Sequence, residues 1–313
     1  MIVFEGLGTV TKPFTSSTVA IGAFDGIHAG HQAIIRSAVS DAQKHNRTTV
    51  VFTFDRHPAE ILRPERAPEY LTTPAQRTQL IKDLGADVLV IARFDLALAH
   101  LSPTLFVRTI LKDLLGAESI VVGSDFRFGQ DRAGDVQFLQ GVSAELGFAV
   151  TALDPVVIGD RPASSTRIRE LLQEGDISAA EQALAHPYLL AGQVVKGRQL
   201  GRELGFPTAN LQRSWRQVVP KDGIYAVRVL LADGREIDGA CSIGTRPTIE
   251  ADGERTIETY LLDFDEDIYG AEMEIRFVKY LRPEVKFDSL DALKSQMAAD
   301  VEQARRALSR LNI

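Results

Sequence analysis

Two histidines three residues apart, His28 and His31, stand in the string Gly22-Ala23-Phe24-Asp25-Gly26-Ile27-His28-Ala29-Gly30-His31. At the start of a helix both rings can donate N–H to phosphoryl oxygens, which would stabilise charge developing on a transferring phosphorus. Gly26 and Gly30 let the backbone approach a ligand closely. A metal-binding pair or a turn with helix-capping histidines would show the same spacing, so the pair alone leaves those readings open. A second stretch runs from Gly192 to Asn210, with glycines at 197, 201 and 205 among Lys196, Arg198 and Arg202. Backbone amides there could wrap a phosphate, although a plain surface loop has the same composition. Thr208 and Asn210 lie two apart in an extended segment, so both face one way, and both offer neutral oxygens suited to Mg²⁺ and phosphate.

The hydrophobic pattern shows which elements hold these residues. In the first half, β-branched runs at 18–24, 49–54, 87–94, 119–123 and 148–152 alternate with helical patterns and predict parallel strands. Ile35, Ala38, Val39 and Ala42 recur at i, i+3, i+4 and i+7, a helix with one apolar stripe. Further helices are expected over 74–84, 103–115, 135–146 and 166–174, with Gly85, Gly116, Gly147 and Gly175 where C-terminal caps belong. The alternation predicts a doubly wound α/β domain. The histidine string then runs off the first strand into the first helix, where open α/β sheets bind phosphates.

After Leu184 the helical crossovers stop. Strands are expected at 225–232, 237–243, 256–262 and 272–280, separated by turns such as Ala232-Asp233-Gly234. They predict an antiparallel barrel or sandwich. A last helix, 289–311, closes it with a stripe of Leu290, Leu293, Met297, Val301, Ala304 and Leu308. The boundary is expected near Ala185 to Tyr188, giving domains of residues 1–185 and 186–313.

Composition narrows the chemistry. The chain has 313 residues, 45% apolar and 25% charged, with net charge −7, which disfavours a sequence-independent grip on nucleic acid. Cys241 is the only cysteine, so an intrachain disulfide and a cysteine-based zinc cluster are excluded and a cytoplasmic setting is expected. The first twelve residues show no signal-peptide pattern, and no apolar run approaches the ~18 residues a membrane span needs. Walker A spacing and G-x-G-x-x-G are both absent. The acidic run Asp263, Asp265, Glu266 and Asp267 lacks the register of a calcium loop and reads as a turn.

The histidine string resembles the signature of the nucleotidyltransferase superfamily, and in its longer form that of the prokaryotic bifunctional riboflavin kinase/FAD synthetases. Thr53-Phe54-Asp55-Arg56-His57-Pro58, Val121 to Gly129 and Ser164-Ser165-Thr166-Arg167-Ile168-Arg169 resemble further motifs of that family. The resemblance implies a Rossmann-like FMN adenylyltransferase domain. Gly22, Phe24, Asp25, Gly26, His28, His31, Ser164, Ser165, Thr166 and Arg169 would bind ATP phosphates, with His28 and His31 catalytic. Asp125, where some relatives carry Asn, and Phe128 would face the flavin.

Gly192 to Asn210 matches the riboflavin kinase motif G-x-V-x-x-G-x-x-x-G-R-x-L-G-F-P-T-A-N in full. That resemblance implies a riboflavin-kinase-like β-barrel. Gly197, Gly201, Gly205, Thr208 and Asn210 would bind ATP, and Thr208 and Asn210 would hold Mg²⁺. Glu258, matched to the family's general base, would accept the proton of the riboflavin 5′-hydroxyl; by its residue type alone it could instead pair with Arg255 or Arg276 on the surface. Arg246 stands where Asn is usual in the family. The implied reactions take riboflavin to FMN with release of ADP, and FMN to FAD with release of pyrophosphate, with ATP and Mg²⁺ used in both. Partners would be these small molecules, with no nucleic acid and no membrane. Two rivals use parts of the pattern: a nucleotidyltransferase with another acceptor, and a flavin-binding or nucleic-acid-binding regulator contacting its partner through Lys196, Arg198 and Arg202. The kinase-like second half argues against the first, and the intact set of His28, His31, Thr208, Asn210 and Glu258 against the second.

Overall fold

The computed structural model describes residues 1–197, 201, 204–245 and 255–309. Arg198, Arg202, Arg246 and the end of the expected last helix lie outside the described residues. The chain divides into two compact units, Met1–Glu69 with Pro74–Ser164, and Tyr70–Thr73 with Ser165–Ile313.

In chain order the N-terminal unit contains β1 (Ile2–Glu5), β2 (Ser17–Ile21), α1 (Ala29–His45), β3 (Thr48–Phe54), α2 (Ala59–Leu62), α3 (Pro74–Asp83), β4 (Val88–Ala92), α4 (Leu96–Ala99), α5 (Pro103–Leu105) and β5 (Ala117–Gly123). The ribbon of β6 (Arg127–Phe128) and β7 (Gly134–Asp135) follows, then α6 (Val136–Leu146), β8 (Ala149–Leu153) and the ribbon of β9 (Val157–Ile158) and β10 (Arg161–Pro162). Six strands form one parallel sheet in the order β1-β4-β3-β2-β5-β8. Alternate residues of β2 serve opposite faces, as a period of two requires. Ala20 packs with Ile35, Ala38 and Ile81 of α1 and α3, while Val19 and Ile21 pack with Val107, Leu111 and Leu139 of the other layer. Helices on both faces make the unit doubly wound, as the alternation predicts.

The four glycines expected at helix ends all have positive φ, 87° at Gly85, 57° at Gly116, 66° at Gly147 and 83° at Gly175. At Gly116 a Cβ would also overlap the Phe14 carbonyl, so no other residue fits. The helix expected over 103–115 is present, but from Phe106 to Leu114 it winds as a π-helix, and the Leu115 N–H reaches the Ile110 carbonyl at 2.9 Å. That wider winding turns the adjacent pairs Phe106-Val107 and Ile110-Leu111 inward together.

The C-terminal unit contains α7 (Ser165–Glu174), α8 (Ile177–Leu184), β11 (Leu189–Val195), β12 (Thr208–Arg213), β13 (Gly223–Leu231), β14 (Glu236–Thr245), β15 (Arg255–Leu261), β16 (Glu272–Arg282) and α9 (Leu290–Ser309). Its strands close into an antiparallel barrel, β11-β12-β15-β14-β13-β16, which decides between barrel and sandwich. α7 and α8 group with the barrel, so the compact units part after Ser164, earlier in the chain than the boundary expected from sequence. Tyr70–Thr73 joins the same unit through Gln217, a fully buried amide. Gln217 donates to the carbonyls of Leu71 (3.3 Å) and Leu189 (3.0 Å) and accepts the Ala191 N–H (3.0 Å).

Of the stripe expected on the last helix, Ala304 and Leu308 are fully buried and Leu293, Met297 and Val301 half-buried. Leu290, 61% exposed, is a correction to that stripe, because it opens the helix at its solvent end. What fastens the helix is polar: Arg282 at the end of β16 donates from Nε (2.7 Å) and a terminal nitrogen (2.6 Å) to the buried carboxylate of Asp300, which also accepts from Gln296 (2.9 Å). Asp300→Ala would strand the half-buried guanidinium, and a loss of about 3 kcal/mol in denaturant unfolding is expected. Gln296→Ala should cost about 1 kcal/mol in the same measurement.

Candidate active site

The first candidate site begins where β2 ends. Phe24 (φ 49°), Gly26 (φ 81°) and Ile27 (φ 39°) all take the left-handed region, a conformation a non-glycine residue adopts only when its surroundings enforce it. The enforcement is visible. The rings and chains of Phe24 and Ile27 are buried, and the turn's carbonyls are held from below. Thr53 donates to the Ala23 carbonyl at 3.0 Å, Gln32 to that of Ile27 at 3.0 Å, and the buried Arg77 to those of Ala23 (3.4 Å) and Phe54 (2.9 Å).

His28 caps α1, its Nδ1 accepting the His31 N–H at 3.4 Å. A ring nitrogen used as acceptor puts the proton of the neutral ring on Nε2, where it can be donated. The two imidazoles stack with centroids 3.6 Å apart and planes 23° apart, and Phe24 meets His31 edge-on at 5.2 Å. The stack therefore brings both sequence-predicted histidines together. Gly22 leaves room for the Phe24 ring, to which a Cβ would come within 2.9 Å, and Gly30 leaves room for His28. Asp25 is buried. The Nδ1 of His31 is buried and meets no hydrogen-bond partner among the described residues, an orphan that a ligand would satisfy. Burial, and then the neighbouring His28, hold the His31 pKa well below 6.5, so the ring is neutral near pH 7.

The other expected residues of this site are placed less uniformly. Ser164 ends the N-terminal unit just after Ala163, whose carbonyl lies 3.9 Å from a Cβ built at Gly30. Ser165, Thr166 and Arg169 lie in the first turns of α7, in the other unit. Asp125 is exposed just beyond β5. Phe128 is buried against Phe106, Phe126 and Phe138, at centroid distances of 5.4, 5.4 and 6.0 Å, so in this arrangement its ring belongs to the core.

The second candidate site lies on the outer face of the barrel. In the β12–β15 ladder Asn210 is opposite Glu258 and Thr208 opposite Tyr260, so these four share one face, while Ala209, Ile257 and Thr259 fill the interior. Thr208 donates to Glu258 Oε2 at 3.2 Å. Glu258 does not take the surface pairing open to it: Arg255 pairs with Asp222 at 2.9 Å and Arg276 faces Glu181 at 3.6 Å.

Two cavities of about 330 Å³ each meet at Thr208. One lies between the barrel and α9 and is mainly apolar, with Phe206, Phe287 and Met297 in its walls and Glu258 on its floor. The other is the more polar of the two, with Gly197, Asn210, Tyr269 and the acidic turn 264–267 around it. Gly197 is required there because a Cβ would overlap the Asn210 amide. Gly201 lines the first cavity, and Gly205 takes φ 87°. The acidic turn is fixed by arginines that the sequence did not single out, Arg235 forked on Glu266 (2.7 and 2.9 Å) and Arg305 on Asp263 (2.6 Å).

Both units match known families. The FAD synthetase family model covers residues 11–167 and the riboflavin kinase model residues 184–308. The bifunctional riboflavin kinase/FMN adenylyltransferase of Escherichia coli (strain K12) is 37% identical over 306 residues, 97% of each chain. That of Pseudomonas fluorescens is 39% identical over 305 residues, again 97% of each. A solved structure named as a macrolide-efflux protein from Streptococcus pneumoniae shares the fold at TM-score 0.89 and 33% identity, covering 97% of this chain and 99% of that one. Among the described residues no helix of this chain is long and apolar enough to cross a membrane.

The His31 shift sets a sign for acid stability. Below pH 6.5 the unfolded chain takes up a proton that the folded ring refuses, so stability falls as pH drops through that value. Denaturant midpoints of the N-terminal unit should decline between about pH 7.5 and about pH 5.5, and His31→Asn should flatten the decline. An unchanged slope in the variant would contradict the buried neutral ring. Burial likewise pushes the Cys241 thiol up to about 12, so iodoacetamide at about pH 8 should label it only after unfolding.

Proposed function

The chain belongs to the bacterial family of bifunctional riboflavin kinase/FMN adenylyltransferases, and from that premise we propose which residues carry each reaction. It phosphorylates riboflavin to FMN and adenylylates FMN to FAD, consuming ATP in both steps. We assign adenylyl transfer to residues 1–185 and the kinase to residues 186–313. The observation that carries the kinase assignment is the Thr208–Glu258 contact where the two cavities meet.

In the kinase, the more apolar cavity suits the flavin ring and the more polar one the nucleotide. Glu258 accepts the proton of the riboflavin 5′-hydroxyl as that oxygen attacks the γ-phosphorus, and the bond to ADP breaks in line. Thr208, by donating its hydrogen to Glu258, orients the carboxylate and turns its own oxygen lone pairs elsewhere. Those lone pairs, with the Asn210 amide oxygen, suit Mg²⁺, which takes one or two protein oxygens and completes its shell with phosphates and water. Among the described residues no cluster of three His, Cys, Asp or Glu forms a cage of its own, in keeping with that sharing. The ion would supply neutralisation of phosphate charge. Gly197, Gly201 and Gly205 give the chain its close approach to the nucleotide.

In adenylyl transfer an FMN phosphate oxygen attacks the α-phosphorus of ATP and pyrophosphate leaves. The nucleophile is already anionic, so no base is needed. The stacked His28 and His31 hold the phosphate oxygens, with Gly22, Phe24, Asp25 and Gly26 shaping the turn. Ser164, Ser165, Thr166 and Arg169 are the proposed ligands of the departing phosphates. Asp125 is proposed on the flavin side together with Phe128, which would act there through the aromatic cluster it anchors. The enzyme is proposed to work in the cytoplasm on these small molecules, without nucleic acid or membrane.

His28→Ala should lower FAD formation from FMN by about 100-fold while ADP release with riboflavin stays within about twofold. Glu258→Gln should do the reverse, lowering ADP release by about 100-fold or more. Loss of both activities in both variants would overturn the partition.

A further inference from the structure

We infer that Arg77 is a positioning residue of adenylyl transfer, its guanidinium bridging the ends of β2 and β3 and so holding the turn that carries His28 and His31. The inference rests on that turn being the site of adenylyl transfer.

The β2–β3 ladder ends at Ile21 and Phe52, with a last backbone bond from the Gly22 N–H to the Phe52 carbonyl at 3.2 Å. Beyond it one chain enters the histidine string and the other enters Asp55-Arg56-His57-Pro58. Arg77 spans the two from α3. One terminal nitrogen donates to the Ala23 carbonyl at 3.4 Å and the other to the Phe54 carbonyl at 2.9 Å. The helix that carries it is itself anchored, because Ile81, one turn on and on the same face, is fully buried in a cluster with Ala20, Ile35 and Leu89. A planar fork on such a support holds two carbonyls in one geometry. An apolar side chain of similar length would pack here without burying a charge, but it could hold neither carbonyl.

The Ala23 carbonyl matters because it shares a peptide plane with the Phe24 nitrogen. Rotation of that plane about the Phe24 N–Cα bond is the φ of Phe24, which stands at 49°. Arg77, together with the Thr53 hydroxyl at 3.0 Å, therefore keeps Phe24 in a conformation that an unheld chain would leave. The Phe24 ring is buried and meets His31 edge-on at 5.2 Å, and His31 stacks on His28 at 3.6 Å. The route from guanidinium to imidazoles thus runs through one peptide plane and one ring.

The test follows FAD formation from FMN and ATP by the full chain. Arg77→Met should lower kcat about 30-fold with the ATP KM within about threefold of the parent, the pattern of a group that matters in the transition state. Arg77→Lys, which can still offer N–H to both carbonyls, should hold kcat within about threefold of the parent. Arg77→Gln, which keeps an amide donor, should fall between them and carries the test should Arg77→Met not fold. In a His28→Ala background Arg77→Met should cost only about threefold more, because the group it positions is gone. ADP release with riboflavin should stay within about twofold throughout, since it reads a separate site. Parental kcat in Arg77→Met and Arg77→Gln, an equal loss in both backgrounds, or an ATP KM that rises in place of a fall in kcat would overturn the role of Arg77 alone. Parental FAD formation by His28→Ala would instead overturn the assignment of the histidine turn.

Discussion

The kinase chemistry proposed for the barrel depends on one contact, the hydrogen bond of 3.2 Å from Thr208 to Glu258 across two antiparallel strands. A hydrogen bond to a carboxylate contributes about 1.5 to 3 kcal/mol, but its direction matters more than its strength here. It fixes the carboxylate where the more apolar and the more polar of the two cavities adjoin. The strand register makes the contact possible. A slip of one residue between β12 and β15 would drive Glu258 into the barrel interior, among Leu211, Ile243 and Phe277, so burial of the inner face locks the outer one. Position is then obtained without any special backbone geometry.

The N-terminal unit solves the same problem differently. Its histidines sit at a helix start reached through a turn with two non-glycine residues at positive φ, each costing roughly 1 to 2 kcal/mol. Burying the side chains of Phe24 and Ile27 offsets that strain, at about 1.5 to 3 kcal/mol apiece. Arg77, Thr53 and Gln32 hold the carbonyls of Ala23 and Ile27, so the turn cannot relax without stranding buried polar groups. The result is a rigid pair of stacked imidazoles, with His31 neutral near pH 7. A charge moving through the adjoining space meets groups that need no reorganisation.

Much of this was legible in the sequence where one local signal sufficed. Glycine caps, the stripe of α1 and the alternation of strands with helices follow from short-range rules, and each named glycine cap is found at positive φ. The histidine string and the spacing of Thr208 and Asn210 also gave their faces directly. What escaped depends on long-range packing. β1 is a short edge strand whose Ile2 and Val3 stay exposed, so its apolar pattern carries no burial signal. β11 runs straight into the glycine-rich, basic stretch that follows it, and its pairing with β12 and β16 exists only once the barrel closes. The membership of Tyr70–Thr73 in the C-terminal unit rests on Gln217, a residue far along the chain with no distinguishing neighbours in sequence. Phe128 could not be divided between core and ligand by motif, and the surrounding phenylalanines place it in the core. The arginines that hold the acidic turn were invisible for the same reason: ion pairs between distant residues leave no period.

On the proposed assignment two different phosphorus atoms of ATP are attacked, the γ in the barrel and the α in the parallel-sheet unit. The most direct measurement is the fate of radiolabelled phosphate, by chromatography of flavins after incubation with riboflavin and ATP labelled at either position. The γ-label should appear in both FMN and FAD, and the α-label in FAD alone. With FMN as the only flavin, γ-label should leave entirely as pyrophosphate. An α-label in FMN, or a γ-label missing from FAD made from riboflavin, would contradict it.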